Sequence, residues 1–401
     1  HLALLMAMVC RQAVGMCLKN RTGVDTMKLL HLADLHLGKV VRGLSMLEDQ
    51  RYLLRQIVET AKSEAVDVVL IAGDVYDKHF PSEEAVTLLD DFLNELRTCG
   101  LRIMMIAGNH DSRVRLQFGR RLFCEEGVHI VGSLEESILP ITLNDAYGPI
   151  CFYLLPYVKP AYVRAFLDQE IKGYPEALDA MIAAMNIDSS RRNVLVAHQF
   201  VRGASTCDSE SALESVGGLD EVSADSFDAF DYVALGHLHS PQQIQRPTLR
   251  YGGSPLKYSL SEARQKKQMI LVELRGKGDT SISFVPYRPL HDLREIKGDY
   301  DQIMQEGAAD VHFDDYVHIT LTDEHMIPDA KARLHTVYPH IMELRYANIR
   351  LAYQQELVQK KEAQTPLAFV EELYELQNNQ PMAQQQRSLI EELLEEIEEG
   401  L

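Results

Sequence analysis

Seven side chains able to bind a metal stand at the ends of short apolar runs: Asp34, His36, Asp74, Asn109, His198, His237 and His239. All are nitrogen or oxygen donors. Asp34 and His36 are two residues apart, as are His237 and His239. In an extended chain such residues point the same way, so each pair is expected to converge on one point. Seven donors are too many for one octahedral ion that must also hold water or substrate, and the set predicts two ions sharing a carboxylate. Mn²⁺ or a similar first-row ion suits these donors, and imidazole disfavours Mg²⁺ as the natural occupant. Two such ions about 3.5 to 4 Å apart would clamp a phosphoryl group, hold the attacking hydroxide and offset charge on the phosphorus oxygens.

Singly, each residue also has a plainer use. The Gly-Asn of "GNHD" is turn chemistry. Asp77 in "GDVYD" suits a cap on the helix that follows. Asp111, beside His110, suits either a helix N-cap or a carboxylate holding the His110 ring in one tautomer, and both readings stay open. His31 and His129 read as strand residues satisfied by their surroundings. Five separate strand ends carrying compatible donors are what a structural reading does not explain.

The elements that position them follow from pattern. From Met27 onward, short apolar runs alternate with amphipathic ones, which predicts strands joined by helices in an α/β sheet. "KLLHLA", "VDVVLIAG", "LRIMMIAG", "NVLVA" and "YVALG" are nearly continuous in apolar residues, so both of their faces are covered. Each run leads into one or two of the donors. They are therefore expected at one sheet edge, outside the carboxyl ends of the strands, where open α/β sheets bind ligands.

At 401 residues and 46% hydrophobic the chain has material for two or three domains. Its six cysteines lie apart with no C-x-x-C, so neither a disulfide framework nor a structural zinc site is indicated, and a reducing, cytoplasmic setting fits. The net charge of −19 opposes a nucleic-acid partner at first sight. However, residues 355–401 hold eleven acidic against three basic side chains. Elsewhere basic clusters occur: Arg113, Arg115, Arg120 and Arg121; Arg191 and Arg192; Arg264, Lys266 and Lys267. Residues 1–26 begin "HLALLMAMVC", too short an apolar run for a membrane helix and a poor signal peptide; they read as an extension outside the fold. No membrane association is expected, and no phosphate-binding G-x-x-x-x-G-K-[ST] loop occurs.

Beyond the strands with donors, residues 288–350 read as a small unit: "RPLHDLREIKG", "YVHITL" and "IMELRYA" as strands, and "PDAKARLHTVY" as a helix with Pro328 in its first turn. Its histidines, His291, His312, His318, His325, His335 and His340, are expected at its surface or in its packing. After a polar linker, Thr365 as N-cap and Pro366 at N1 open one helix. A second helix places Ile390, Leu393, Leu394 and Ile397 on one face. Two short amphipathic helices suit an adapter that buries its apolar faces on a partner.

Taken together, D34-L-H36, G73-D74-V-Y-D77, G108-N109-H110-D111, H198 and G236-H237-L-H239 resemble the motifs of calcineurin-like metallophosphoesterases. "MKLLHLADLHLGK", "FDYVALGHLHSPQ" and "RYGGSPLKYSLSEARQKKQ" are similar, more narrowly, to the SbcD-type nuclease subunits of SbcCD complexes. The matching stretches span about residues 27–290. The protein-phosphatase branch is disfavoured, because its GDxxDRG and GNHE words are here "GDVYDKH" and "GNHDS".

The resemblance implies a metallophosphoesterase β-sandwich flanked by helices over 27–287, a small α/β capping domain over 288–352 and a helical tail over 353–401. It implies that Asp34, His36 and His239 hold one ion, that Asn109, His198 and His237 hold the other, and that Asp74 bridges them. His110 would contact the scissile phosphate and protonate the departing 3′ oxygen, with Asp111 in its support. The activity implied is Mn²⁺-dependent 3′ to 5′ exonuclease on duplex DNA, with endonuclease action on single strands and hairpins. A homodimer whose tail binds an SbcC-type ATPase is the assembly implied. A small-substrate phosphodiesterase and a non-catalytic scaffold are the rival readings.

Overall fold

The computed structural model describes residues 26–210 and 221–348, with Leu367, Glu371, Tyr374, Met382, Gln384, Gln386, Arg387 and Ile390 beyond them. Apart from Thr26, the expected N-terminal extension lies outside the described residues, as do Thr365, Pro366, Leu393, Leu394 and Ile397. The chain forms two compact units, 1–294 and 295–401. Residues 288–294 bond within the first unit: the Arg288 amide donates to Gln56 Oε1 (3.0 Å) and the His291 amide to Asp49 Oδ1 (3.1 Å).

In chain order the first strands are β1 (Met27–Leu32), the short pair β2 (Val40–Val41) and β3 (Leu44–Ser45), β4 (Val68–Ala72), β5 (Arg102–Ile106) and β6 (Val128–Val131). Next come β7 (Ile141–Asp145), β8 (Gly148–Leu155), β9 (Arg192–His198), β10 (Tyr232–Gly236), β11 (Gln242–Ile244) and β12 (Arg246–Tyr251). β13 (Gln268–Leu274) and β14 (Thr280–Pro286) complete the first unit; β15 (Leu293–Gly298), β16 (Tyr316–Leu321) and β17 (Ile341–Tyr346) follow.

The large strands make two mixed six-stranded sheets, ordered β14-β13-β1-β4-β5-β6 and β11-β12-β10-β9-β8-β7. The five donor-bearing strands are therefore divided: β1, β4 and β5 lie in one sheet, β9 and β10 in the other. One shared sheet edge was the expectation, and apolar runs alone do not say which sheet a strand joins. The strands alternate across their sheet. Val194 and Val196 of β9 meet Leu70, Met104 and Ile106 between the sheets, whereas Leu195 and Ala197 pack with the helical layer that includes Val163, Leu178 and Met181. Helices Leu47–Ser63 and Glu83–Thr98 are amphipathic, burying Leu53, Ile57 and Leu88, Phe92 respectively. Ser82 starts the second helix, its hydroxyl accepting from the Ala85 amide (3.3 Å).

In the second unit β15-β16-β17 form a three-stranded sheet with helices Tyr300–Gly307 and Ala330–Leu334, around Ile303, Val317, Ile319, Leu334 and Ile341. Further on, Leu367, Glu371, Tyr374, Gln384, Gln386, Arg387 and Ile390 are helical, and Arg387 Nε lies 3.4 Å from Glu371 Oε1. Among the described residues no helix is long and apolar enough to cross a membrane.

Candidate metal centre

The strand ends break into the site through backbone conformations that side chains seldom adopt. Asp34 (φ 51°), His36 (φ 44°), Asp74 (φ 46°) and His237 (φ 104°) all have positive φ, and such outliers concentrate where function over-determines the backbone. Backbone bonds knit the β1 and β4 loops together: His36 N donates to the Asp74 carbonyl (2.9 Å) and Leu37 N to that of Val75 (2.9 Å). The glycines before the donors permit close approach. A Cβ on Gly236 would lie 1.8 Å from the Ala72 carbonyl oxygen, and one on Gly108 would lie 2.1 Å from Asp74 Oδ1.

All seven donors come together, in two subsets. Ligand atoms of Asp34, His36 and Asp74 lie within 4.8 Å of one another, as do those of Asp74, His198 and His237. His239 joins the first subset, its Nε2 3.0 Å from His36 Nε2. Asn109 joins the second, its Oδ1 2.9 Å from His198 Nε2 and 3.0 Å from His237 Nδ1. Asp74 Oδ2 stands between the subsets, 3.3 Å from His198 Nε2 and 3.8 Å from His36 Nε2. His237 and His239 thus diverge rather than converge on one point. Period-two reasoning holds for extended backbone, and His237 is not extended.

The donor chemistry fits positive charge. The Ala72 carbonyl can only accept, so His198 Nδ1 carries the proton it donates there (2.8 Å), and His198 Nε2 presents a lone pair to Asn109 Oδ1 and Asp74 Oδ2. Three lone-pair atoms then face one another, an arrangement that calls for a cation or a proton between them. Accordingly, although burial opposes its charge, the Asp74 carboxylate pushes His198 up to about 9. Burial raises Asp74 too, but His198 beside it holds the carboxyl well below its usual range. Burial, helped by neighbouring basic groups such as Lys39 beside His36 and His198 beside His237, pushes His237 and His36 down to about 3 despite nearby carboxylates. Three atoms of these residues, Asp34 Oδ2, His36 Nδ1 and His237 Nε2, are buried without a hydrogen-bond partner, a costly state for polar atoms that a bound ion would relieve at the Asp34 carboxylate.

The flanking residues differ from expectation. Asp111 is neither a helix cap, a position Ser112 fills, nor a partner of the His110 ring. Buried, its carboxylate accepts the amides of Gly108 (2.8 Å), Val75 (3.1 Å) and Tyr76 (3.0 Å) and so clasps the Asn109 loop to the Asp74 loop. His110 instead donates from Nδ1 to the Asp77 carbonyl (2.9 Å) and stands partly exposed at the mouth, edge-on to His36. Asp77 does not cap the next helix; its Oδ1 takes Lys39 Nζ (2.7 Å) and lies 3.5 Å from His36 Nδ1. Of the basic clusters, Arg192 is buried in a bidentate pair with Asp145, and Lys267 is buried against Glu262 (2.5 Å). Both serve the interior and are withdrawn from any surface. Arg115, Arg121, Arg264 and Lys266 remain exposed.

Several site residues carried no sequence pattern that marks them. Gln50 donates to the Leu35 (3.3 Å) and His36 (2.8 Å) carbonyls and accepts from the Gly38 amide (3.0 Å), pinning the β1 loop. Tyr157 stacks on His237, centroids 6.0 Å apart. Glu210 accepts the His239 amide (2.7 Å). Only the similarity of the stretch around Glu262 and Lys267 to known nucleases hinted that it mattered.

A two-sheet sandwich with buried His/Asp groups where its strands end is the architecture of a metal-dependent phosphoesterase, and the calcineurin-like phosphoesterase family matches residues 27–241. Residues 289–378 match the family described as type 5 capsule protein repressor C-terminal domain, the SbcD C-terminal region. The SbcD subunit of the SbcCD nuclease from Staphylococcus epidermidis is 35% identical over 92% of this chain and 98% of its own. Its counterpart in Staphylococcus saprophyticus is 35% identical over 79% and 84%. Among solved structures, a dimetal phosphatase from Danio rerio is similar at TM-score 0.40 and 15% identity, over 65% of this chain and 99% of that one. The chain belongs to the SbcD family of calcineurin-like phosphoesterases.

Proposed function

We propose that this protein is the nuclease subunit of an SbcCD-type complex acting in DNA repair and recombination. It would be an Mn²⁺-dependent 3′ to 5′ exonuclease on duplex DNA and an endonuclease on single strands and hairpins. The observation that carries this reading is the placement of Asp74 Oδ2 between two buried donor subsets, 3.3 Å from His198 and 3.8 Å from His36. Asp34, His36 and His239 would hold one ion, Asn109, His198 and His237 the other, with Asp74 common to both. When bound, such a pair supplies the positive charge that polarises water and offsets charge on the phosphate oxygens.

The chain's own groups orient the rest. His110, held through Nδ1 on the Asp77 carbonyl and partly exposed, would meet the scissile phosphate through its other nitrogen and protonate the departing 3′ oxygen. Asp111 supports it indirectly, by fixing the loop that carries Asn109 and His110. Arg115 and Arg121 are exposed and fit phosphate contacts. Phe80, Val114, Phe118 and Leu122 are each more than 70% exposed, and such exposed apolar side chains support a homodimer. Residues 288–352 would cap the site. The tail would bind an SbcC-type ATPase in a reducing, cytoplasmic setting, which the free cysteines Cys99, Cys124, Cys151 and Cys207 suit.

The test is to incubate purified protein and Mn²⁺ with linear duplex DNA, a DNA hairpin and a chromogenic phosphodiester. Duplex and hairpin cleavage that is lost in His110→Gln, with metal still bound, is the expected result. Turnover of the small diester alone would replace this reading with a small-substrate phosphodiesterase, and no turnover with a scaffold.

A further inference from the structure

Behind His239 runs a buried chain of polar groups that the ligand assignment does not use. Lys267 has three donors and no acceptor, and all three are engaged: the His239 carbonyl (2.7 Å), Ser254 Oγ (2.9 Å) and Glu262 Oε2 (2.5 Å). Glu262, held ionised by that ammonium, can only accept. Its Oε1 receives the Ser209 hydroxyl and the Tyr258 amide (3.2 Å). Ser209 has one proton and gives it to Glu262, so toward His239 its oxygen must accept. The remaining contact, Ser209 Oγ to His239 Nδ1 at 2.8 Å, therefore runs from ring to hydroxyl.

We propose that Ser209, Glu262 and Lys267 are positioning residues that hold the His239 proton on Nδ1, leaving the Nε2 lone pair aimed at the ion site beside His36. The proposal rests on the two-ion reading above. Hydrogen-bond direction is what distinguishes it from simple packing: an ammonium at one end and a carboxylate in the middle allow only one orientation of the hydroxyl. Glu210, which takes the His239 amide (2.7 Å), fixes the backbone of the same residue, so that ring and main chain are set from one loop. Partners of this kind orient metal-binding imidazoles and select their tautomer.

The test uses the full chain with two readouts, long-range ¹⁵N–¹H spectra of the metal-free protein and calorimetric titration with Mn²⁺. Wild-type protein is expected to carry the His239 proton on Nδ1 and to bind two ions. In Glu262→Gln the side-chain carbonyl must face Lys267, so its NH₂ faces Ser209. The hydroxyl then reverses, the ring proton moves to Nε2, and one of the two ions binds roughly 10- to 100-fold more weakly. Ser209→Ala leaves the Lys267–Glu262 pair intact and covers the case in which Glu262→Gln does not fold; it should weaken the same ion, and Ser209→Thr should restore it. A wild-type ring protonated on Nε2, or Ser209→Ala protein that binds both ions as tightly as wild type, overturns the proposal. Wild-type protein that binds one ion or none instead overturns the two-ion reading, and this proposal with it.

Discussion

His31 and His36 lie five residues apart, both buried and both held near pKa 3 by burial, yet they do different things. His31 accepts from the Tyr232 hydroxyl (2.9 Å) and donates to the Leu235 carbonyl (3.1 Å), so both nitrogens are satisfied. A ring whose folded pKa lies below 6.5 favours the native state while neutral: that stability is present above pH 6.5 and is lost as pH falls toward 3. His31→Leu should cost about 1 to 3 kcal/mol at pH 7, because the hydroxyl and carbonyl lose their partner. Between pH 6 and 4 its stability should fall less steeply than that of wild type, by about 1.4 kcal/mol per pH unit. Urea melts at several pH values check this, and parallel curves would refute it. Which residue types could bind a metal was legible in the sequence, as was the plain reading of His31. The jobs of Asp77 and Asp111 were not, since a carboxylate's use depends on which amides or cations the tertiary fold brings to it.

At the level of elements, apolar runs marked every strand that ends in a donor, and "PSEEA" carried an ordinary helix-start signal that Ser82 fulfils. Local pattern could not assign those strands to two sheets, because long-range pairing such as β1 with β13 brings together residues more than 200 apart in the chain. It also misjudged His237 and His239, whose directions follow from a positive φ rather than an extended strand. Gly236 sits where those two facts meet. With no room between its Cα and the Ala72 carbonyl, Gly236→Ala must part the two sheets at the site. A loss of more than about 4 kcal/mol is expected, in the range reserved for severe core defects. Denaturant melts of the metal-free protein measure it, and a loss below about 1 kcal/mol would mean that the close approach is absent.

For the whole molecule, net charge is a poor guide to where DNA could sit. The −19 total includes a strongly acidic tail, and two cations from the apparent basic clusters, Arg192 and Lys267, are interior. If duplex DNA lies along the exposed arginines, Arg115→Ala and Arg121→Ala should each reduce the slope of log affinity against log salt by about 0.9. Arg192→Ala should leave that slope unchanged and lower the melting temperature, since it strips a bidentate partner from Asp145. Fluorescence anisotropy over a salt series separates the two behaviours. The donor subsets draw on both sheets: Asp74 and Asn109 come from one, His198 and His237 from the other. Ions seated there would act as rivets across the sandwich, so the mechanical coherence of the first unit would rise and fall with the supply of metal.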